Sequence, residues 1–571
     1  MAHIQLAEEF YMANEALKSF TPTSASIPPP GVNYRLRLPS GTPVHLHALN
    51  PLAFVLRSAQ IYSTKLAIVH PDVRHPVIYS YAVWAQRIQN FAYGLLEAGI
   101  QPGDRIAFIA PNMSAYHGVL GARAIICAIN TRLTHGEVAY ILEHSGAKLI
   151  FVDHESAHLV KGAKAPVIVV NDTGKEDDPY EQFLTSGRKF SNERGWAGLE
   201  WERNEDAGCA LNYTGKNVDG SRERFVVDVV IGSYLAAVAN AYDTGMNRDS
   251  TYLWILPMFH ASGWTFPWAV TFASAAQICL RSVSYPHIWN HLINSGVTHY
   301  CGAPTVQIGL INAPMARRLE KPVFAIIAGS APTAHLIGEL EKRNIKPVHV
   351  YGLTCTYGPS TVCYYQPDWT SRALDERARL LARQGHAFAT AEEVRVVFPL
   401  KEGESLDAPL VDVPKDGQTM GEIVFRGNIV MKEYFKDPEA TRKAFRGGYF
   451  NSGDLAVWHP DGYIAIMDRS KDIIISGGEL STHPDVLEVS VVARSHPKWG
   501  ERPMAFVILH PQKADKWAGR HAEFEKDLKD HARKRLPGFA CPEWVSVVPE
   551  LPKTSTGKIQ KVELRKIVAK L

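Results

Sequence analysis

Residues 321–332, KPVFAIIAGSAP, and residues 345–353, IKPVHVYGL, each carry a short run of apolar, largely β-branched residues that ends in a turn. A short apolar run without polar alternation is the pattern of a strand buried on both faces, as in a parallel sheet covered by helices. The same form recurs in DRIAFIAPN (104–112), AKLIFVDH (147–154) and APVIVVND (165–172). These segments alternate with helical stretches such as YAVWAQRIQNFAYGLLEAGI (81–100). The alternation predicts an α/β fold with a largely parallel sheet, and in such folds ligands gather at the carboxyl ends of the strands.

The segment 420–468 reads differently. MGEIVFRGNIVMKEYF and GGYFNSGDLAVWHPDGYIAIMDRS hold closely spaced strands and an HPDG turn, which predicts a small β subdomain closing the large one. Beyond Arg469 the chain becomes a short α+β module with a basic, helical end. The Pro-rich stretch PTSASIPPPGVNYRLRLPSG (22–41) predicts an extended arm ahead of the first domain. The expected organisation is an amino-terminal extension over 1–49, a large domain over 50–468 and a small carboxyl-terminal domain over 469–571. A chain of 571 residues is too long for one ordinary core, in keeping with several domains.

Bulk properties narrow the function. With 46% hydrophobic and 21% charged residues and a formal charge of +3, the chain has no basic excess to bind nucleic acid or an anionic membrane. No apolar run reaches membrane-spanning length. Seven scattered cysteines without a C-x-x-C pair suggest reduced thiols rather than a disulfide framework or a zinc site. The first residues, MAHIQLAEEFYMANEALKSF, do not read as a secretory signal. The last three, Ala569, Lys570 and Leu571, are a near match to the Ser-Lys-Leu peroxisomal address, so the expected location is the peroxisome, reached through its import receptor.

Two segments carry chemistry. In SGDLAVWHPDGYIAIMDRSKDIIISGG (452–478), an Asp in a tight turn, Asp454, followed by Arg469, suits the two hydroxyls of a ribose. In LPKTSTGKIQKVELRK, Lys558 sits in a glycine-containing turn from which a mobile point charge could reach a carboxylate or phosphate. Taken alone, the first could be a surface hairpin and the second a basic loop. In this order, together with LPMFHASGW (256–264), GSAP (329–332), YGLTCTYGPST (351–361) and GEIVFRG (421–427), the chain resembles the adenylate-forming superfamily. Within it, YLWILPMFHASGWTFPWA and TYGPSTV look most like the short-chain, medium-chain or aromatic carboxylate–CoA ligases.

The resemblance implies an ATP-dependent acyl-CoA synthetase. It implies ATP, Mg2+ and coenzyme A, and a small carboxylic acid as substrate. It implies that Lys558 bridges carboxylate and phosphate, that Thr354 meets the α-phosphate and that His260 borders the acyl pocket. Gly329, Ser330 and Ala331 would flank adenine, Tyr351 would pack on it, and Asp454 and Arg469 would hold the ribose. Thr214 would belong to the phosphate loop. Gly477 and Gly478 would line the pantetheine path, with the domain hinge at Lys471. The acyl pocket would be lined by aromatic residues including Trp264, Phe266 and Tyr357, which suit an apolar or aromatic acid.

Three places depart from the resemblance. The phosphate loop keeps Tyr213 and Thr214 but continues GKNVDGSRERF, with acidic residues where phosphates would lie. Cys355 stands where the family has a magnesium-binding Glu, and a thiol is a poor magnesium ligand. After Glu479 the small domain is shortened by about ten residues, close to three helical turns. These departures keep a second reading open: a catalytically impaired relative that binds a nucleotide or an acyl ligand. A peptide-synthetase-like module and a luciferase-like oxygenase have no motif of their own here.

Overall fold

The computed structural model describes residues 9–111, 115–213, 225–329, 332, 334–400, 403–469, 480–481, 483–496, 500–534, 541–553 and 559–570, with the backbone alone at Ala334, His335, Asp375, Asp468, Arg469, Gly500, Glu501 and Val562. Two large sheets dominate. In the nine-stranded sheet, six parallel strands lie side by side in the order Leu66–His70, Ala276–Cys279, Thr251–Trp254, His299–Cys301, Val323–Ile327 and Ile345–Leu353. Antiparallel strands close its two edges. The seven-stranded sheet has five parallel strands, with Gly208–Tyr213 at one end of that set and Val167–Val170 at the other. The mixed α/β architecture agrees with the expectation from the strand-like runs. Thr251–Trp254, Ala276–Cys279 and Leu149–Asp153 are buried along their whole length, which is why they lack polar alternation.

The helix expected over 81–100 forms as Tyr81–Glu97, with the Ser80 hydroxyl accepting from Val83 N at its start. Phe91 on this helix packs on Phe108, Phe151 and Tyr180. It also lies against the helix Pro179–Arg194, where a Cβ on Gly187 would stand 1.9 Å from Asn90 O. The two helices share a buried ion pair: Arg87 donates to both carboxylate oxygens of Glu181 at 2.8 and 2.6 Å, and to Ser26 Oγ at 2.7 Å. Part of the expected amino-terminal extension therefore docks on the large body. Farther upstream, Tyr11 and Leu17 are buried in the core of the nine-stranded sheet.

The segment 393–469 forms a five-stranded antiparallel sheet. Near the carboxyl terminus, Val486–His496 and Gly500–Leu509 pair antiparallel and Trp544–Val547 adds in parallel. The helix His521–Arg533 buries Phe524 and Leu528 in one small core with Val491, Ala505 and Val507. Leu564, on the helix Lys561–Val568, joins Val492, Met504 and Phe506 in another.

Candidate active site at the strand ends

His260 follows the strand Thr251–Trp254, Gly302 follows His299–Cys301, and Gly329 follows Val323–Ile327. Tyr351 lies near the end of Ile345–Leu353, and Thr354 comes next. Because these strands are parallel neighbours, all of these residues fall along one edge of the sheet, the carboxyl edge.

The turn that carries Asp454 is built as a bulge. Strand Tyr449–Trp458 pairs with Met420–Arg426, but the register jumps from Glu422↔Leu455 to Val424↔Asn451, so residues 452–454 are pushed out of the ladder. Gly453 takes a φ of +73° at the apex. Two side chains fix the bulge: Glu422 accepts from Gly453 N at 3.0 Å, while Ser452 Oγ accepts from Asp454 N at 3.0 Å and donates to Ile423 O at 2.6 Å. The result aims the Asp454 carboxylate at Tyr351, whose hydroxyl donates to it at 2.7 Å. On its other side, in the ladder with the strand Ile464–Arg469, Asp454 pairs directly with Arg469. Burial raises the pKa of Glu422, and the nearby Asp454 adds to that effect. Glu422 is a supporting residue that the motif alone did not reveal; a carboxylate in the strand GEIVFRG was the signal.

The neighbouring turn, Thr354–Thr356, is locked by Thr356, whose buried hydroxyl accepts from Leu353 N and donates to Gly358 O, both at 2.8 Å. The backbone doubles back so tightly that a Cβ on Gly352 would stand 1.9 Å from Gly358 O. Thr354 is half-buried on this turn. Cys355, also half-buried, accepts from Met431 N at its carbonyl, places its sulfur 3.5 Å from the Tyr434 hydroxyl and packs against the apolar cluster that includes Phe425 and Met431. A sulfur in these apolar surroundings does not fit the role of magnesium ligand. Among the described residues no group of three or more His, Cys, Asp or Glu is placed to hold a metal ion.

Behind His260 the chain enters an unusual turn: Ala261, Ser262, Gly263, Trp264 and Thr265 all have positive φ. His260 itself is half-buried, with its ring 6.1 Å from that of Trp264. Trp264, Phe266, Trp268 and Tyr357 are almost wholly buried and belong to one aromatic core with Trp254. The aromatic residues expected at the acyl pocket are thus also core residues.

Thr214, Ser330, Ala331, Lys471, Gly477, Gly478, Glu479, Lys558 and Leu571 lie outside the described residues, as do 215–224 of the stretch 215–225 expected to depart from the family's phosphate loop, and the side chain of Arg469.

A carboxylate held toward a tyrosine, next to glycine-bearing turns, lies at the carboxyl edge of a parallel sheet, where α/β folds gather their ligands. The chain belongs to the AMP-binding enzyme family: that family's profile matches residues 55–215 and 227–435, and the profile of the AMP-binding enzyme C-terminal domain matches residues 479–558. This family is one of AMP-forming acid–thiol ligases that use ATP, Mg2+ and coenzyme A. The chain is 36% identical to the peroxisomal acetate/butyrate–CoA ligase of Arabidopsis thaliana, covering 92% of this chain and 95% of that one. It is 38% identical to an acetate–CoA ligase of Humulus lupulus, covering 91% and 94%. It is 35% identical to the peroxisomal trans-cinnamate:CoA ligase of Petunia hybrida, again covering 91% and 94%. Among solved structures, a benzoate CoA ligase from Burkholderia xenovorans superposes with a TM-score of 0.75 at 20% identity, covering 90% of this chain and 99% of that one, a likeness that speaks to the fold.

Proposed function

We propose that this chain is an ATP-dependent carboxylate–CoA ligase for short apolar acids of about acetate to butyrate size, working in the peroxisome. The observation that carries the reading is the aimed pair Tyr351–Asp454 at the strand ends, with Arg469 opposite Asp454 in the ladder. An ionised carboxylate is the right acceptor for a vicinal diol. The tyrosine both orients it and offers a ring face to a base.

In the first step a carboxylate oxygen attacks the α-phosphorus of ATP and pyrophosphate leaves. In the second, the coenzyme A thiolate attacks the acyl carbon and AMP leaves. Joining two anions needs positive charge at the reacting phosphate, and Lys558 is the group we assign to it. Thr354, on its locked turn, is assigned to the α-phosphate, Gly329, Ser330 and Ala331 to the adenine, and Thr214 to the outer phosphates. His260 is assigned to the border between acid and thiol. Lys471 would be the hinge about which the domain 469–571 swings, bringing Gly477 and Gly478 to the pantetheine arm. Cys355 does not fit as a magnesium ligand and takes no part in either step.

Two observations support small acids. The aromatic residues next to His260 fill their own neighbourhood, with Trp264 at 6% and Tyr357 at 1% exposure. The acetate and acetate/butyrate ligases match over nearly the full chain. The trans-cinnamate relative keeps aromatic acids as the alternative. Peroxisomal relatives support reading Ala569, Lys570 and Leu571 as an address for the import receptor. The relatives give no support to a non-catalytic binder, since they are named as ligases.

The test is to incubate the purified chain with ATP, magnesium, coenzyme A and acetate, butyrate or cinnamate, and to identify acyl-CoA by mass. Acetyl- and butyryl-CoA are expected. Cinnamoyl-CoA alone would replace the substrate assignment, and no thioester with any acid would refute the ligase assignment.

A further inference from the structure

The turn behind His260 sits on a buried chain of polar side chains. Asn212, on the strand Gly208–Tyr213, donates to Asp228 Oδ2 at 2.6 Å, and Asp228 lies on the adjacent strand Phe225–Val229. From inside the left-handed turn, Ser262 donates to Asn212 Oδ1 at 2.9 Å. Asn212, Asp228 and Ser262 are 2%, 2% and 0% exposed, and Asp228 Oδ1 has no hydrogen-bond partner among the described residues. Tyr357 stands beside this chain: its hydroxyl lies 3.4 Å from Trp268 Nε1 and interacts with Ser262 and Cys209.

Such an arrangement needs a reason. A left-handed conformation brings Cβ too close to the following carbonyl oxygen in a non-glycine residue, and here four of the five residues are not glycine. Strain of this kind persists only where the surroundings over-determine it. The surroundings here are few and identifiable. Asn240, on the helix Val230–Asp243, donates to Trp264 O at 3.1 Å and Thr265 Oγ1 at 2.6 Å. Gly358 approaches so closely that a Cβ there would stand 2.9 Å from Trp264 Cα. Ser262 supplies the link to the second sheet. Gly358 belongs to the same tight turn as Thr354, and Tyr351 sits at its start. The turn behind His260 is therefore clamped between the hairpin of Asn212 and Asp228 on one side and the turn of Tyr351 and Thr354 on the other.

We propose that Ser262, Asn212 and Asp228 are positioning residues: a buried brace that holds the left-handed turn, and with it His260, against the turn bearing Tyr351 and Thr354. The brace does not touch the reacting atoms. Its effect is on where His260 stands when the acid arrives, and the assignment of His260 to the acid rests on the proposed function. The carboxyl of Asp228 serves as a neutral acid, since a buried, unpartnered oxygen cannot bear a charge at such a place.

The test combines hydrogen–deuterium exchange of the full-length protein with steady-state kinetics, for Ser262→Ala, Asn212→Leu and Asp228→Asn. Losing a buried hydrogen bond of about 1 kcal/mol corresponds to a change of about fivefold to tenfold. Ser262→Ala is expected to stay folded and to raise exchange of amides 261–266 by about tenfold. In acyl-CoA formation it is expected to raise KM for the acid by about tenfold while KM for ATP stays within about threefold. Asn212→Leu should do the same. Asp228→Asn, which mimics the neutral acid, should leave both readouts within about threefold of the parent. Unchanged exchange in Ser262→Ala and Asn212→Leu would overturn the brace. Raised exchange with an unchanged acid KM would overturn its role in positioning His260. If the parent protein forms no thioester, the function assignment fails instead, and exchange alone decides whether the brace exists.

Discussion

Asp454 and Tyr351 are placed to be read by substitution. Asp454→Asn keeps the shape of the side chain but removes the charge that would accept from ribose hydroxyls. A hydrogen bond to a charged group contributes about 1.5–3 kcal/mol, so KM for ATP should rise by roughly 10- to 100-fold. Tyr351→Phe removes only the 2.7 Å bond that orients the carboxylate, and should cost about tenfold or less. If the two variants are equally mild, the pair does not hold the nucleotide. Cys355→Glu offers an oxygen where the sulfur does not fit, and should lower the magnesium concentration needed for half-maximal activity; superimposable titrations would contradict that. Asp454 stands out in the sequence as an Asp in a glycine turn, whereas Tyr351 stands out only through the family resemblance. Glu422 and Asn212 do not stand out, because their roles depend on partners distant in sequence, Gly453 and Ser262.

The strands were legible and the turns between them were not. A largely buried strand such as Val323–Ile327 is continuously apolar, and the sequence shows it. The left-handed run from Ala261 to Thr265 leaves no such trace, since only one of its residues is glycine. At Gly352 the backbone crossing dictates the residue: Gly352→Ala should destabilise the protein by about 3 kcal/mol or more, visible as a lower Tm or loss of soluble protein, because its Cβ would meet Gly358 O. The strand Phe225–Val229 breaks the apolar rule with Asp228, whose carboxyl is raised well above its usual value of 3.8 by burial, an effect that Asn212 only partly offsets. Cys209 and Tyr357, the titratable groups facing it, are neutral as well, with burial pushing Cys209 up to about 12 and Tyr357 upward. The folded state holds the Asp228 proton at pH values where the unfolded chain has released it. This contribution to stability is complete below the usual carboxylate value and is lost as pH rises through the folded one. Thermal melts across that range should show stability falling with pH, and Asp228→Asn should flatten the slope. An unchanged slope in that variant would place the pH dependence elsewhere.

In the molecule as a whole, the amino-terminal segment, the helix Tyr81–Glu97 and the helix Pro179–Arg194 meet at Arg87 and Glu181, exposed by only 6% and 3%. Arg87→Met would leave the Glu181 carboxylate without a counter-charge, with the Thr23 hydroxyl still donating to it at 3.1 Å, and should cost about 3–5 kcal/mol by denaturant melts; replacing both by apolar residues should recover most of the loss. A cost below about 1 kcal/mol for the single change would mean that solvent reaches the site. The two-sheet body could be read from the alternation of strands and helices, whereas the docking of Tyr11 and Leu17 could not, because the amino-terminal segment lacks a long periodic stretch. The assignment of the whole molecule as an acid-activating ligase requires ATP to turn over although the family resemblance implies a carboxylate at the position of Cys355 and a different loop over 215–225. ATP–pyrophosphate exchange by the purified, folded chain, across short, medium-chain and aromatic acids, reads that turnover directly. Exchange that depends on added acid and is greatest with acetate or butyrate is the expected result, and no exchange with any acid, from protein shown to be folded, would contradict the assignment.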